Sequence, residues 1–84
     1  MIRLKVGEHI LIDKHRDPQG NFIALTTLNI WKLLEPKLNA EEDLEGVEVD
    51  FSGEKVFLKS RSRAKLRAII NKARALGVNV LGSL

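Results

Sequence analysis

Between Ser60 and Gly77 the residues Leu66, Ile69, Ile70, Ala73 and Leu76 recur at steps of three and four, and no other feature constrains the fold as tightly. At about 100° per residue this spacing collects them on one stripe of an α-helix, and the stripe must face a core. Ser60 or Ser62 can cap the helix start by accepting a backbone N–H bond, and Gly77 can close its end by entering the left-handed region. The same stretch carries Arg61, Arg63, Lys65, Arg67, Lys72 and Arg74 and no acid. On a helical wheel Arg63, Arg67 and Arg74 fall on one flank of the apolar stripe, and Arg61, Lys65 and Lys72 on the other. Three of the cations sit at the helix start, where each is disfavoured by about 0.3 to 1 kcal/mol, because the free N–H groups there prefer negative charge. A phosphate or carboxylate arriving there would meet N–H groups and guanidinium forks together.

The rest of the chain has to supply the core that this helix covers. Met1 to Val6 alternates apolar and basic residues as a half-buried strand does, and His9 to Lys14 resumes as strand after a Gly7-Glu8 turn. Asp17-Pro18-Gln19-Gly20 carries the residues of a type I turn, which makes Asn21 to Thr26 the return strand of a hairpin and completes a three-stranded meander. Thr27 can cap a first helix that ends or kinks at Pro36, a residue with no N–H to donate. Asn39 and Glu42 have the spacing of a capping box for a short turn closed by Gly46. Val47 to Phe51 and Lys55 to Lys59 follow as strands, then the basic helix, then a last short strand over Val78 to Leu81. A link that short predicts a crossover onto the same sheet.

The expected architecture is a single α/β (α+β) domain over residues 1–84, a mixed sheet of about four to six strands with two main helices in the order β-β-β-α-β-β-α-β. In the first helix Leu28, Ile30, Trp31, Leu33 and Leu34 cover more than half the wheel. One core face cannot use them all, so Ile30, Trp31 and Leu33 are either covered by a second layer or form a self-association patch that makes a homodimer. On the second alternative, Asp at Ile30 or Leu33 lowers the oligomeric state.

Composition narrows the function classes. At 84 residues, 44% hydrophobic and 30% charged, the chain is an ordinary small globular one. It has no cysteine, so neither a disulfide framework nor a thiolate metal site is expected. No apolar run approaches the roughly 20 residues of a membrane span, and no leader pattern opens the chain, so a cytoplasmic protein without membrane insertion is expected. The net charge is only +3, but its distribution is uneven: residues 41–54 hold seven acids and no base, and residues 55–84 hold eight bases and no acid. Such a division either neutralises itself within the fold or presents a dipolar surface to a charged partner.

Catalytic signals are sparse. Asp13, His15 and Asp17 alternate ahead of the Pro-Gly turn, within reach of a metal or a proton transfer if they stand on a strand, but a polar hairpin loop accounts for them as well. No glycine-rich phosphate loop and no Ser-His-Asp arrangement is present. The expectation is therefore a non-enzyme without cofactor or metal, binding a polyanion, nucleic acid foremost. Its contacts would be Ser60, Arg61, Ser62, Arg63, Lys65, Arg67, Lys72 and Arg74.

A second expectation comes from the run Val47-Glu48-Val49-Asp50-Phe51-Ser52-Gly53, then Phe57-Leu58-Lys59-Ser60, Leu66, Ala73-Arg74-Ala75-Leu76-Gly77 and Val78-Asn79-Val80. Residues 46–80 resemble the central part of STAS domains, the fold of anti-sigma-factor antagonists and sulfate-transporter tails. Where that family has Asp-Ser-Ser-Gly, this chain has Lys59-Ser60-Arg61-Ser62, with Arg61 in place of the usual phosphoacceptor serine. The resemblance implies a regulatory protein-protein interaction domain without a phosphorylation switch, docking an acidic protein on the same helix start.

Overall fold

The computed structural model describes residues 8–13 and 15–84. They form a mixed five-stranded sheet with both helices on one face. In chain order these are β1 (Ile10–Ile12), β2 (Phe22–Thr27), α1 (Leu28–Leu34) with a 3-10 turn over Glu35–Lys37, β3 (Glu48–Ser52), β4 (Lys55–Ser60), α2 (Arg63–Ala75) and β5 (Val80–Leu81). The sheet order is β3-β4-β2-β1-β5. All neighbours are antiparallel except β1 and β5, which pair parallel through Ile10 with Val80 and Leu11 with Leu81. It follows that β4 and β5 also run parallel, and α2 is the crossover between them.

Strand alternation decides what each face holds. Ile10, Ile12, Ala24, Val56 and Leu58 point to the helices and are buried with Ile30, Trp31, Leu34, Leu66, Ile69, Ile70, Ala73 and Val78 in one cluster. Phe57, Leu25, Leu11 and Leu81 stand in one row across four strands on the opposite face, where Leu11 and Leu81 are exposed. The expected strand over residues 1–6 lies outside the described residues. Among the described residues β1 is paired on both edges, with β2 on one and β5 on the other.

The turn before β2 forms as the sequence predicts. Gly20 donates its N–H to the Asp17 carbonyl at 2.9 Å, and Asp17 Oδ1 accepts the N–H groups of Gln19 and Asn21 at 2.9 and 2.8 Å. Thr27 caps α1, its hydroxyl accepting the Ile30 N–H at 3.3 Å. Ile30 and Trp31 face the core and not a self-association patch: Ile30 is fully buried, and Trp31 meets the Phe51 ring edge-on at 6.3 Å. Leu38, Leu44 and Val47, from the connection after α1, pack on the same cluster. Leu33 is half-buried and stands outside that cluster.

In the connection, Asn39 Oδ1 accepts the N–H groups of Glu41 and Glu42 at 2.9 and 3.3 Å, as an N-cap does. The reciprocal bond comes from Asp43 and not from Glu42: Asp43 Oδ2 accepts the Asn39 N–H at 2.7 Å. One residue further along, the carboxylate is still within reach because the turn is not a regular helix.

Helix α2 is capped by Ser62, whose hydroxyl accepts the Lys65 N–H at 3.3 Å. It closes in a Schellman arrangement: Gly77, at φ +87°, donates to the Arg74 carbonyl at 2.9 Å, and Val78 donates to the Ala73 carbonyl at 3.1 Å. Leu66, Ile69, Ile70 and Ala73 are buried as their spacing requires. Leu76 is not, being 40% exposed, because the helix has already ended and the stripe's geometry no longer applies to it.

Candidate polyanion-binding surface

Ser60 and Ser62 have different tasks at the start of α2. Ser60 is buried; its hydroxyl donates to the Gly46 carbonyl at 2.9 Å and accepts the Ser62 N–H at 3.0 Å. With both directions used inside the protein, Ser60 is a joint between the end of β4 and the loop before β3 and is removed from the expected contact set. Ser62 is exposed at the cap. Arg61 precedes the helix, so the wheel does not place it. It lines a recess with Lys59, Glu48 and Gly46.

The two flanks of α2 differ in how their charges are used. On one, Lys65 Nζ donates to the Glu42 carbonyl at 2.7 Å, and Lys72 Nζ meets Asp43 Oδ2 at 2.6 Å and the Lys37 carbonyl at 3.5 Å. The segment 37–43 therefore lies along this flank and partly neutralises it. The other acidic residue in an ion pair among the described residues is Asp50, 3.2 Å from Lys59 on the outer sheet face. The Lys72 ammonium beside Asp43 holds that carboxyl below its ordinary value, with the Asn39 N–H adding to the effect against a smaller opposing cost of burial. A carboxylate whose pKa is lowered by folding stabilises the fold above its unfolded pKa of about 4, and that contribution is lost as pH falls through the folded value. The thermal midpoint is thus expected to fall as the pH drops below about 4, less steeply in Asp43→Asn than in the parent. Calorimetry in that range checks it; equal slopes would leave Asp43 without a part in acid stability. Asp17, lowered by its bonds from the Asn21 side chain and backbone, keeps some slope in the variant.

On the opposite flank Arg63, Arg67 and Arg74 are all exposed. Arg63 donates to the Leu84 backbone oxygen. Arg74 reaches Asn71 Oδ1 at 3.5 Å, a neutral partner. All eleven Asp and Glu residues lie among the described residues, and none is within ion-pair distance of these three arginines or of Arg61. Residues 82–84 pass alongside. At Gly82, with φ +89°, an added Cβ would stand 2.9 Å from the Ile12 carbonyl oxygen, so the close approach of this segment to β1 depends on glycine. Beyond it Ser83 and Leu84 close a cavity of about 210 Å³, with Arg67 and Arg74 as walls and Ile12 and Ile70 as floor.

The polar hairpin loop presents no comparable site. Asp13 Oδ1 accepts the His15 N–H at 2.9 Å, and the Asp17 carboxylate is occupied by Gln19 and Asn21, so both hold the loop's shape. Arg16 lies over the Phe22 ring at 4.2 Å. Among the described residues no group of three His, Cys, Asp or Glu is placed to hold a metal ion, and no helix is long and apolar enough to cross a membrane.

Fold and surface together define a two-layer α/β protein whose crossover helix carries one basic flank partly neutralised by Asp43 and another with no Asp or Glu in ion-pair distance. Comparison with known proteins finds no match among family models, curated proteins or solved structures.

Proposed function

We propose that the protein is a non-catalytic binding module for polyanions, nucleic-acid phosphates foremost, and that Arg63, Arg67 and Arg74 form its contact row. The observation that carries this reading is the asymmetry of α2. The chain has eleven acids and brings one of them onto Lys72, yet leaves the arginine flank with none. Guanidinium groups are weakly hydrated forks suited to phosphate oxygens, so the open flank is also the one with the better phosphate chemistry. Arg61 lies on the approach to the helix start and adds to the local potential.

Fluorescence anisotropy with duplex DNA and with single-stranded RNA across a salt series tests the reading. Three arginines that each neutralise a phosphate give a log-log slope of about −3 on duplex DNA. Absence of binding to both ligands at low salt would overturn the nucleic-acid reading. The same arginines would then be the docking face for an acidic protein surface, the role that the STAS resemblance implies without a phosphorylation switch.

A further inference from the structure

A flat basic row suffices for the phosphodiesters of a strand passing over it, but α2 does not offer a flat row. Arg67 and Arg74 stand two turns apart, about 10 Å along the helix axis, and the space between them is the cavity closed by Ser83 and Leu84. Its floor is the buried pair Ile12 and Ile70, so water is excluded from one side and the charges there are screened less than on an open surface. An internal phosphodiester presents two free oxygens and would have to bring both flanking sugars into this recess. A terminal phosphomonoester presents three free oxygens, enters end-on, and carries a charge of about −1.5 to −2 at neutral pH. Two guanidinium forks and the Ser83 hydroxyl provide donors for three oxygens, and the positive charge of the two arginines matches that of the dianion.

We propose that the cavity between Arg67 and Arg74 seats the terminal phosphomonoester of a nucleic-acid strand. The protein then recognises strand ends as well as backbone. This proposal rests on the polyanion-binding reading and gives it a preferred ligand.

The test uses one single-stranded DNA oligonucleotide prepared with a 5′-phosphate, with a 3′-phosphate and with hydroxyls at both ends, together with inorganic phosphate as a separate probe. One phosphorylated form is expected to bind on the order of tenfold tighter than the unphosphorylated strand, and the preference should vanish in Arg67→Gln/Arg74→Gln. Arg61→Gln, outside the cavity, should weaken all three strands alike and keep the preference. Inorganic phosphate should shift the side-chain Nε–H resonances of Arg67 and Arg74 in NMR spectra of the whole chain. If the three strands bind equally and with steep salt dependence, the end-recognition proposal is overturned and the polyanion reading stands. If no strand binds but inorganic phosphate still shifts both arginines, the cavity is a phosphate site and the nucleic-acid reading is the one that fails. Arginine resonances unmoved by phosphate, with no strand bound, would end both.

Discussion

Ile30→Asp is expected to leave the chain unfolded at neutral pH and 25 °C. Ile30 is fully buried beside Trp31 and Leu34, so the new carboxyl has neither water nor a cation near it. Held ionised, it carries an effective desolvation penalty of several kcal/mol. Held neutral at pH 7, about three units above the ordinary carboxyl value, it costs about 4 kcal/mol. Either way about 1.5 to 3 kcal/mol of isoleucine burial is lost as well. A chain of this size sits toward the lower end of the usual stability of about 5 to 15 kcal/mol, so the penalty consumes most or all of it. Far-ultraviolet circular dichroism and size-exclusion chromatography of the variant should show lost secondary structure and an expanded monomer. Leu33→Asp, at a half-buried position outside the core cluster, is expected to cost only about 1 to 2 kcal/mol. A folded monomeric Ile30→Asp variant derived from an oligomeric parent would contradict this and restore the self-association patch.

That contrast shows why the sequence is ambiguous at α1. Five apolar residues on seven positions say that the helix is covered from more than one side, but periodicity does not say by what. Leu38 and Leu44, which pack on the core cluster, belong to an acidic connection whose own pattern is too irregular to mark them as core, whereas Val47 is legible from the strand it precedes. The helix caps, the Asp17 turn and the buried stripe of α2 are legible because each depends on residues close in sequence. β1 is legible as a strand but not in its pairing: its second edge is taken by Val80 and Leu81, about seventy residues away, and no local signal announces a parallel partner at that distance. The contact surface divides in the same way. Composition exposes six cations on one stretch, while the distinction between the occupied Lys65 and Lys72 and the open Arg67 and Arg74 depends on where segments 37–43 and 82–84 lie. Ser60 reads as a cap or contact because serines at helix starts so often are; only the position of Gly46 turns it inward.

Arg67→Glu/Arg74→Glu is expected to retain the fold and lose on the order of a hundredfold in polyanion affinity at moderate salt. Both side chains are exposed and neither has a carboxylate partner among the described residues, so reversal breaks no ion pair. It also sets one acid, at position 74, in the last turn of α2, where the helix dipole prefers cations, at a stability cost of about 0.3 to 1 kcal/mol, well short of unfolding. Binding suffers twice, since each reversal removes an attraction and adds a repulsion, and the salt slope should fall by about two with the loss of two neutralised phosphates. Lys65→Glu/Lys72→Glu is the informative counterpart. It sets a second carboxylate against Asp43 in place of the Lys72 ammonium and removes the bond from Lys65 to the Glu42 carbonyl, so its larger effect should be on thermal stability and its smaller one on affinity. The change in net charge is the same in both double variants, which makes the comparison independent of overall charge. Equal losses of affinity would mean that only the summed field of the helix matters and that the arginine row is not a site. A loss confined to the arginine variant means that the fold has chosen one flank of α2 for its ligand and used the other to hold itself together.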